Sequence, residues 1–543
     1  MKKFLSTVLA LGMLASCVGA AGCGGGSGSS GEVEGKTNIR VGTFDRGVGR
    51  AWLDDAAKRF EKMYENESFE EGKTGVAVKV NACETGETLA NSKLGEDVYL
   101  TEAVDYYYLQ SKGKLAPITD IVSGEKSSLS AYGENTTIAD KLDGAMKDFL
   151  TAKGDYYAIP FYDGFYGIIY DVDMFTLQGW FFDEAGNFTK NHKSLGLDGV
   201  EGTYDDGLPQ TYEQFAKLIE KIDSTGDVTP FVYSQAGQDY FVELMANYWA
   251  NYEGKEKMLL NWYFNGDTDI VTGFENGEPV IETTTITSDN ILDLQKQPGK
   301  YYALEFLKDV IMANEGEYLT RAMDHKEAQY QFISSCLGGA DGDVQDGAVA
   351  MIFDGAWFEN EATTAGKFEL AMKDEPRTFT SVDEYKKARN LGFMPIPKVS
   401  EEQSNKQTVI SSNDSFCFIS AGTKDAKLDV AKEFVKFLHS EAELAAFTAK
   451  TSITRPYTYS LGDAAETASY FAKSLMQIKE TADIVYPYSN APEYVANSSK
   501  YGIRSWAWSS KVSGKEASNP FGFFRTNKSK TAQDYFEGLV KAQ

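Results

Sequence analysis

Ile39 to Thr43, IRVGT, is an apolar run of strand length, and the apolar residues that follow it, Trp52, Ala56, Phe60 and Met63, return at helical spacing. Val76, Val78 and Val80 then alternate as a second strand, a helix-compatible stretch runs to Leu94, and DVYL at 97–100 reads as a third. This order constrains the chain more than any other feature. Strands that run the same way need a helix to return the chain to the same edge of the sheet, so strand, helix, strand, helix, strand builds a parallel sheet. The alternation resumes after an irregular stretch. Ile168–Tyr170 is strand-like, and a helix opens at Leu208-Pro209-Gln210-Thr211, where Thr211 and Gln214 stand in capping-box positions and Phe215, Leu218, Ile219 and Ile222 share one face. TPFVYS at 229–234 and GAVAMIF at 347–353 read as further strands. Residues 239–254 and 301–313 read as helices, with a β-rich or looped insertion between them, and Leu428, Ala431, Phe434, Val435 and Leu438 mark a strong late helix.

The N-terminus is of another kind. Lys2 and Lys3 precede an apolar stretch, Phe4–Met13, too short to span and stay in a bilayer, which reads as an export signal over residues 1–22. Leu14-Ala15-Ser16-Cys17 and Ala20-Ala21-Gly22-Cys23 both resemble the bacterial lipobox. We place the diacylglycerol thioether on Cys23, which lies directly before a Gly/Ser-rich tether (23–36), with Cys17 as the alternative and an ordinary cleaved secretory signal as the bland one. About 510 residues remain, enough for at least two domain-sized cores. No later run is long and apolar enough to span a membrane.

With 53 basic and 80 acidic residues the formal charge is −27, a surface that repels phosphate backbones and argues against nucleic acid as a partner. Past the leader only Cys83, Cys336 and Cys417 remain, an odd and dispersed set that argues against a disulfide framework. Most of the 31 Tyr, 33 Phe and 7 Trp are expected in the core, but a surplus of tyrosine and tryptophan is also one way to build platforms for sugar rings.

Catalytic signatures are mostly absent. Gly26-x-Gly28-x-x-Gly31 formally matches a dinucleotide fingerprint, and GEVEGKT at 31–37 resembles the end of a phosphate loop, but both lie in the tether without a flanking strand and helix. There is no G-x-S-x-G elbow, and His192, His325 and His439 are too few and scattered for a zinc site. Asp341, Asp343 and Asp346 in GADGDVQDG miss the EF-hand spacing and read as a solvated turn, so no metal and no cofactor are expected. A glycosidase needs a carboxylate pair, which a chain with 80 acids always offers, so that pattern carries no weight.

Seven segments occur in a telling order: IRVGTFDRGVGRAWLDDAAKRFEKMYE, EDVYL…LAPITDIV, YAIPFYDGFYGIIYDVDMF, LPQTYEQFAKLIEKI, GAVAMIFDGAWFENEA, LGFMPIPK and AKEFVKFLHSEAELAAFTAKTSITRP. Together with a lipobox, the set resembles the extracellular solute-binding proteins (family 1) of carbohydrate ABC importers, of the maltose-binding-protein type. The excess length lies near 255–300 and 465–520. The resemblance implies a two-lobed α/β fold of the periplasmic-binding-protein type II, with lobes joined by crossover strands and solute held in the cleft. On this chain it implies lobe 1 over 37–162 plus 414–455, and lobe 2 over 163–413 plus 456–543.

Carried over by position, the resemblance implies ligand contacts at Asp45 and Arg46 after the first strand, Glu102 after DVYL, and Tyr162 and Asp163 at the first crossover. It further implies contacts at Gln238, Asp239 and Tyr240 at a helix start, at Trp357 as the stacking tryptophan flanked by Asp354 and Glu359, at Asn413 and Asp414 near the second crossover, and at Trp506 or Trp508. The aspartate of FDGAW stands where the family usually has asparagine. The expectation is a lipid-anchored, extracytoplasmic monomer on the outer face of the bacterial cytoplasmic membrane. It binds an oligosaccharide unchanged and delivers it to ABC permease subunits. It touches the membrane only through its anchor, with a cell-surface glycan-degrading enzyme or a binder of another polar solute as the alternatives. Few cationic candidates beyond Arg46 stand near these positions, which favours a neutral sugar over a charged solute.

Overall fold

The run IRVGT lies within the strand Thr37–Thr43, flanked in parallel by Val76–Ala82 and Val98–Thr101, with the helix Ala51–Met63 returning the chain between the first two. The computed structural model describes residues 32–234, 239–314, 323–334, 347–375, 377–400, 406–412 and 414–542. Trp52, Ala56 and Phe60 of that helix are buried as the spacing predicts. Met63 is not, being 47% exposed, because the helix ends there and its last turn leaves the sheet. The expected leader, and with it Cys17 and Cys23, lies outside the described residues. The end of the expected tether is structured: Val33 donates to Asn38 Oδ1 at 2.7 Å and Asn38 Nδ2 donates back to the Val33 carbonyl at 2.9 Å.

The first sheet has the order Val76–Ala82, Thr37–Thr43, Val98–Thr101, Phe416–Ile419, Ile159–Pro160, with Phe416–Ile419 antiparallel to both neighbours. The second has the order Leu391–Met394, Tyr166–Asp171, Ala348–Gly355, Val228–Tyr233. Ala348–Gly355 runs parallel to Val228–Tyr233 and antiparallel to Tyr166–Asp171, and all eight of its residues are buried, as expected for a mostly apolar strand sandwiched between two layers. The helix Tyr212–Asp223 that packs by this sheet starts where the sequence predicts. Thr211 Oγ1 accepts from Gln214 N at 3.2 Å, and Gln214 Oε1 reaches back one residue beyond the cap, to Gln210 N at 2.6 Å. These two sheets and their helices make a two-lobed α/β fold.

The chain passes between the sheets three times, through 161–165, 411–415 and 452–456. The passages are laced together. Phe161 N donates to the Ser415 carbonyl at 3.0 Å, Gly164 N to Ser411 Oγ at 3.1 Å, and Asp163 N to the Thr454 carbonyl at 2.9 Å. Arg455, wholly buried, donates to the carbonyls of Phe161 and Leu438 at 2.7 Å each and faces His439 Nε2 at 2.7 Å. His439 donates through Nδ1 to the Val435 carbonyl, and burial with Arg455 beside it holds its pKa well below the ordinary imidazole range.

The insertion expected as β-rich is a hairpin, Gly266–Glu275 against Glu278–Ile286, turned by Asn276-Gly277 at φ +55° and +91°, the pairing that fits a two-residue turn. The helix expected over 239–254 continues to Tyr263 past a kink at Gly254, φ +74°. Among the described residues no helix is long and apolar enough to cross a membrane. Cys417 is buried and Cys83 half-buried, both unpaired, with thiol pKa values pushed up to about 12 by burial, so neither is reactive.

In the second lobe Arg389 and Asp171, both without exposure, meet at 3.1 Å, and Asp171 also caps the helix Val172–Gln178 through Met174 N at 2.6 Å. Arg389→Met strands that carboxylate among apolar neighbours, and the expected loss is about 3–5 kcal/mol of stability. Chemical denaturation followed by circular dichroism reads it as a lowered midpoint, and an unchanged midpoint refutes the assignment.

Candidate functional site: a cleft between the two sheets

Polar loops collect where parallel strands end, because the backbone leaves the ladder there and helix starts face the same space. In the first lobe the loop after Thr37–Thr43 carries Asp45 and Arg46, both exposed, with the Arg46 guanidinium 5.9 Å from the Phe44 ring centroid. Gly47 and Gly49 follow at φ +58° and +65°, a conformation side-chain-bearing residues resist. Glycine at 47 has a second reason. A Cβ there would lie 3.6 Å from the Cβ of Trp357 in the opposite lobe, and the Gly47 carbonyl accepts from Asn360 Nδ2 at 2.6 Å. The two lobes therefore touch at this point.

The loop after Val98–Thr101 carries Glu102. Its carbonyl accepts from Gly86 N at 2.8 Å, and the next residue, Ala103, sits at φ +51°, a strained setting for a residue with a side chain. Glu102 Oε1 accepts from Tyr162 OH at 2.5 Å. Burial, first, and Glu361 across the gap push the Glu102 carboxyl up to about 7 against the opposing pull of Tyr162 and Arg46.

The second lobe answers with an aromatic wall. Trp357 follows the strand Ala348–Gly355 and meets Tyr166 edge to face at 4.8 Å and Tyr240 at 5.9 Å; Tyr166 and Tyr240 lie 5.6 Å apart. Behind it, Asp354 accepts from Gly355 N at 2.7 Å and from Gln329 Nε2 at 3.0 Å, and the same Nε2 reaches Glu361 Oε2 at 2.8 Å. Burial and then Glu361 push the Asp354 carboxyl up to about 8. Burial also raises the Tyr240 phenol, with Asp354 and Glu361 adding to it. Beside this wall a cavity of about 740 Å³ runs between the lobes, lined among others by Glu102, Asp105, Tyr108, Tyr166, Glu243 and Asp414. Its size suits a small-molecule ligand.

The structure brings Arg46, Glu102, Tyr162, Tyr240, Asp354, Trp357 and Asp414 to this region, with Asp45 exposed on the Arg46 loop. Tyr162 is 3% exposed and donates to Glu102 from beneath it. Asp414 opens to the cavity and accepts from Tyr488 OH at 2.9 Å.

Four expectations need correction. Asp163 has no exposure: Thr454 Oγ1 donates to it at 2.8 Å, Lys479 Nζ at 3.0 Å, Tyr486 OH at 3.1 Å and Ser411 Oγ at 3.3 Å, which leaves its carboxylate no room for a ligand. Glu359 is 3% exposed and is taken up by Ser469 Oγ at 2.7 Å, Ser452 Oγ at 3.1 Å and Lys386 Nζ at 3.1 Å, on a separate crevice that also carries Trp52 and Arg59. Trp508 is fully buried, donating Nε1 to the Val242 carbonyl at 3.1 Å. Trp506 is likewise core, donating to Asn261 Oδ1 at 3.1 Å.

Gln238, Asn413, the side chain of Asp239 and the Asp341–Asp343–Asp346 turn lie outside the described residues, and among the described residues no group of acids, histidines and cysteines is arranged to hold a metal. Tyr166, Glu243 and Ser412 join the site without standing among the expected contacts. Glu243 stands one helical turn beyond Tyr240 and accepts from Ser412 Oγ at 2.8 Å, so the i, i+3 spacing was the available signal.

A two-lobed α/β fold with an aromatic and polar cleft at the strand ends is the build of a solute-binding protein. Residues 49–445 match the family of bacterial extracellular solute-binding proteins, and the chain belongs to that family. A search of curated proteins by sequence returns no match. Among solved structures, the GacH receptor of Streptomyces glaucescens GLA.O, studied unliganded and with acarbose, is similar at 16% identity and a TM-score of 0.50, covering 93% of this chain and 97% of its own. A chitin oligosaccharide binding protein has 14% identity and a TM-score of 0.49, covering 92% and 99%. The raffinose-complexed binding protein RafE has 14% and 0.47, covering 93% and 100%.

The raised carboxyls set a pH signature. In the folded chain Glu102 keeps its proton up to about 7, while unfolded it loses it near its ordinary 4.5, so its contribution to stability is full below 4.5 and fades as pH rises through 7. Glu102→Gln removes that titration. The melting temperature of the variant relative to the parent should climb between pH 4.5 and about 7 and level off above; a difference independent of pH contradicts the assignment.

Proposed function

We propose that this protein captures an oligosaccharide in the cleft between its lobes and hands it unchanged to the membrane permease of an ABC importer. It would work as a monomer held outside the cell by a diacylglyceryl thioether on Cys23 or, failing that, Cys17. The observation that carries the reading is the aromatic triangle of Trp357, Tyr166 and Tyr240 facing the Arg46 and Glu102 loops. Sugar rings present apolar C–H faces edged by hydroxyls. Aromatic faces take the first, and Arg46, Asp45, Glu102, Glu243 and Asp414 supply donors and acceptors for the second. A carboxyl that stays protonated near neutrality, as at Asp354 and Glu102, can donate to a hydroxyl as well as accept from one. The acarbose bound by the GacH receptor is a ligand of this chemical kind.

Trp357 is only 7% exposed with Gly47 against it, so ligand entry requires the lobes to part and closure to follow, each sugar contact adding to the closed state. Catalysis has no comparable support, since the family consists of binding proteins.

Thermal-shift and calorimetric titration against a panel of oligosaccharides should find one-to-one binding with the sugar recovered intact; appearance of hydrolysis products on long incubation would turn the reading to a glycan-degrading enzyme. Trp357→Ala should weaken the best sugar at least about tenfold, the worth of roughly 1.5–3 kcal/mol of lost apolar burial.

A further inference from the structure

We propose that Asp163, paired with Lys479, is the pivot of the lobes and a positioning residue for binding: it fixes the axis about which they close and holds the closed arrangement, without touching the solute. The inference rests on the lobes opening and closing as proposed above, and its evidence lies beneath the cleft. The Asp163 carboxylate receives Thr454 Oγ1 at 2.8 Å and Ser411 Oγ at 3.3 Å, one from each of the other two passages between the sheets. Its remaining donors, Lys479 Nζ at 3.0 Å and Tyr486 OH at 3.1 Å, come from the second lobe, from the helix Tyr470–Thr481 and from just beyond the strand Asp483–Val485. Lys479 also donates to the Arg455 carbonyl, so one ammonium joins the first and third passages.

The physics makes this a pivot and not merely a contact. Asp163 has no exposure, and the Lys479 side chain is only 11% exposed. A rotation that separated them would leave two desolvated charges unpaired, a penalty larger than that of parting Gly47 from Asn360 at the exposed mouth of the gap. Motion is therefore confined to rotations about the carboxylate that keep its four donors in place. The wholly buried Arg455, whose guanidinium meets the carbonyls of Phe161 and Leu438, His439 and the Tyr457 ring, adds positive charge nearby and deepens the need for the anion.

The experiment uses the full chain with nitroxides on Lys58→Cys and Lys373→Cys, both exposed on helices of opposite lobes, and with Cys336 replaced by serine. Electron–electron double resonance gives the interlobe distance distribution without sugar and with maltotriose or a chitin oligosaccharide as probe. Asp163→Asn should cost about tenfold in closed population and weaken whichever probe binds by the same factor. Thr454→Val and Tyr486→Phe, which keep the charge pair, should shift it less. Should Asp163→Asn fail to fold, Asp163→Asn with Lys479→Met removes both charges and should fold with the distribution still shifted. Ile352→Val, a destabilised core control in the second lobe, should leave the distribution as in the parent. The proposal falls if the folded Asp163 variants keep the parental distribution, or if Ile352→Val shifts it equally. If instead the parent itself gives one sugar-independent distance, the closing motion, and the functional reading with it, is what fails.

Discussion

Burying a carboxylate with no solvent contact is affordable only where donors surround it, and at Asp163 they come from the two other passages that join the lobes and from the second lobe. The rest of the structure follows from that joint. Besides side contacts such as Lys255 to Asp143 at 2.9 Å and Tyr263 OH to Asp148 at 3.0 Å, the two sheets are joined through three passages of chain. The laced backbone bonds among 161–165, 411–415 and 452–456, and Arg455 spanning Phe161 and Leu438, make those connections a single rigid floor. A cleft can then be open above the floor and still have a defined shape.

What stands above the floor is electrostatically uncomfortable. Burial raises the proton affinity of Glu102 in one lobe and of Asp354 in the other, and the charge of Glu361 adds to both. Gln329, without exposure, uses one amide nitrogen to serve both Asp354 and Glu361, while its own carbonyl oxygen has no hydrogen-bond partner among the described residues. A strained Ala103 adjoins the same site. Such concentrations of unfavourable burial and backbone strain are common where a protein keeps polar groups ready for something else to satisfy. The aromatic triangle is the opposite kind of element, packed by its own edge-to-face contacts.

Much of this was legible in the residues. The alternation of runs and helical spacing fixes parallel strands at Thr37–Thr43, Val76–Ala82 and Val98–Thr101 almost to the residue, since short apolar runs next to amphipathic helices admit few other packings. Trp357 and Glu102 stand beside the cleft because each follows a strand, and Tyr240 because it opens a helix, the places to which the resemblance ties them. Asp163 and Glu359 were misjudged for one reason: their partners, Thr454 and Lys479 in one case and Ser452 and Ser469 in the other, lie roughly a hundred to three hundred positions away, and nothing local separates a carboxylate that meets solvent from one that meets a distant hydroxyl. Trp506 and Trp508 were misjudged because a tryptophan with its indole N–H bonded to a buried acceptor looks, in sequence, like one waiting for a ring.

Gly47 sets a limit on the jaws. Its backbone rests directly on Trp357 with no side chain between them, so the narrowest gap this protein can reach is decided by an atom that is missing. A larger residue at that position would act as a doorstop, holding the mouth ajar while the joint below stayed intact. Relatives differing there would then have a wider slit and a tolerance for bulkier guests, with no change to any group that grips them.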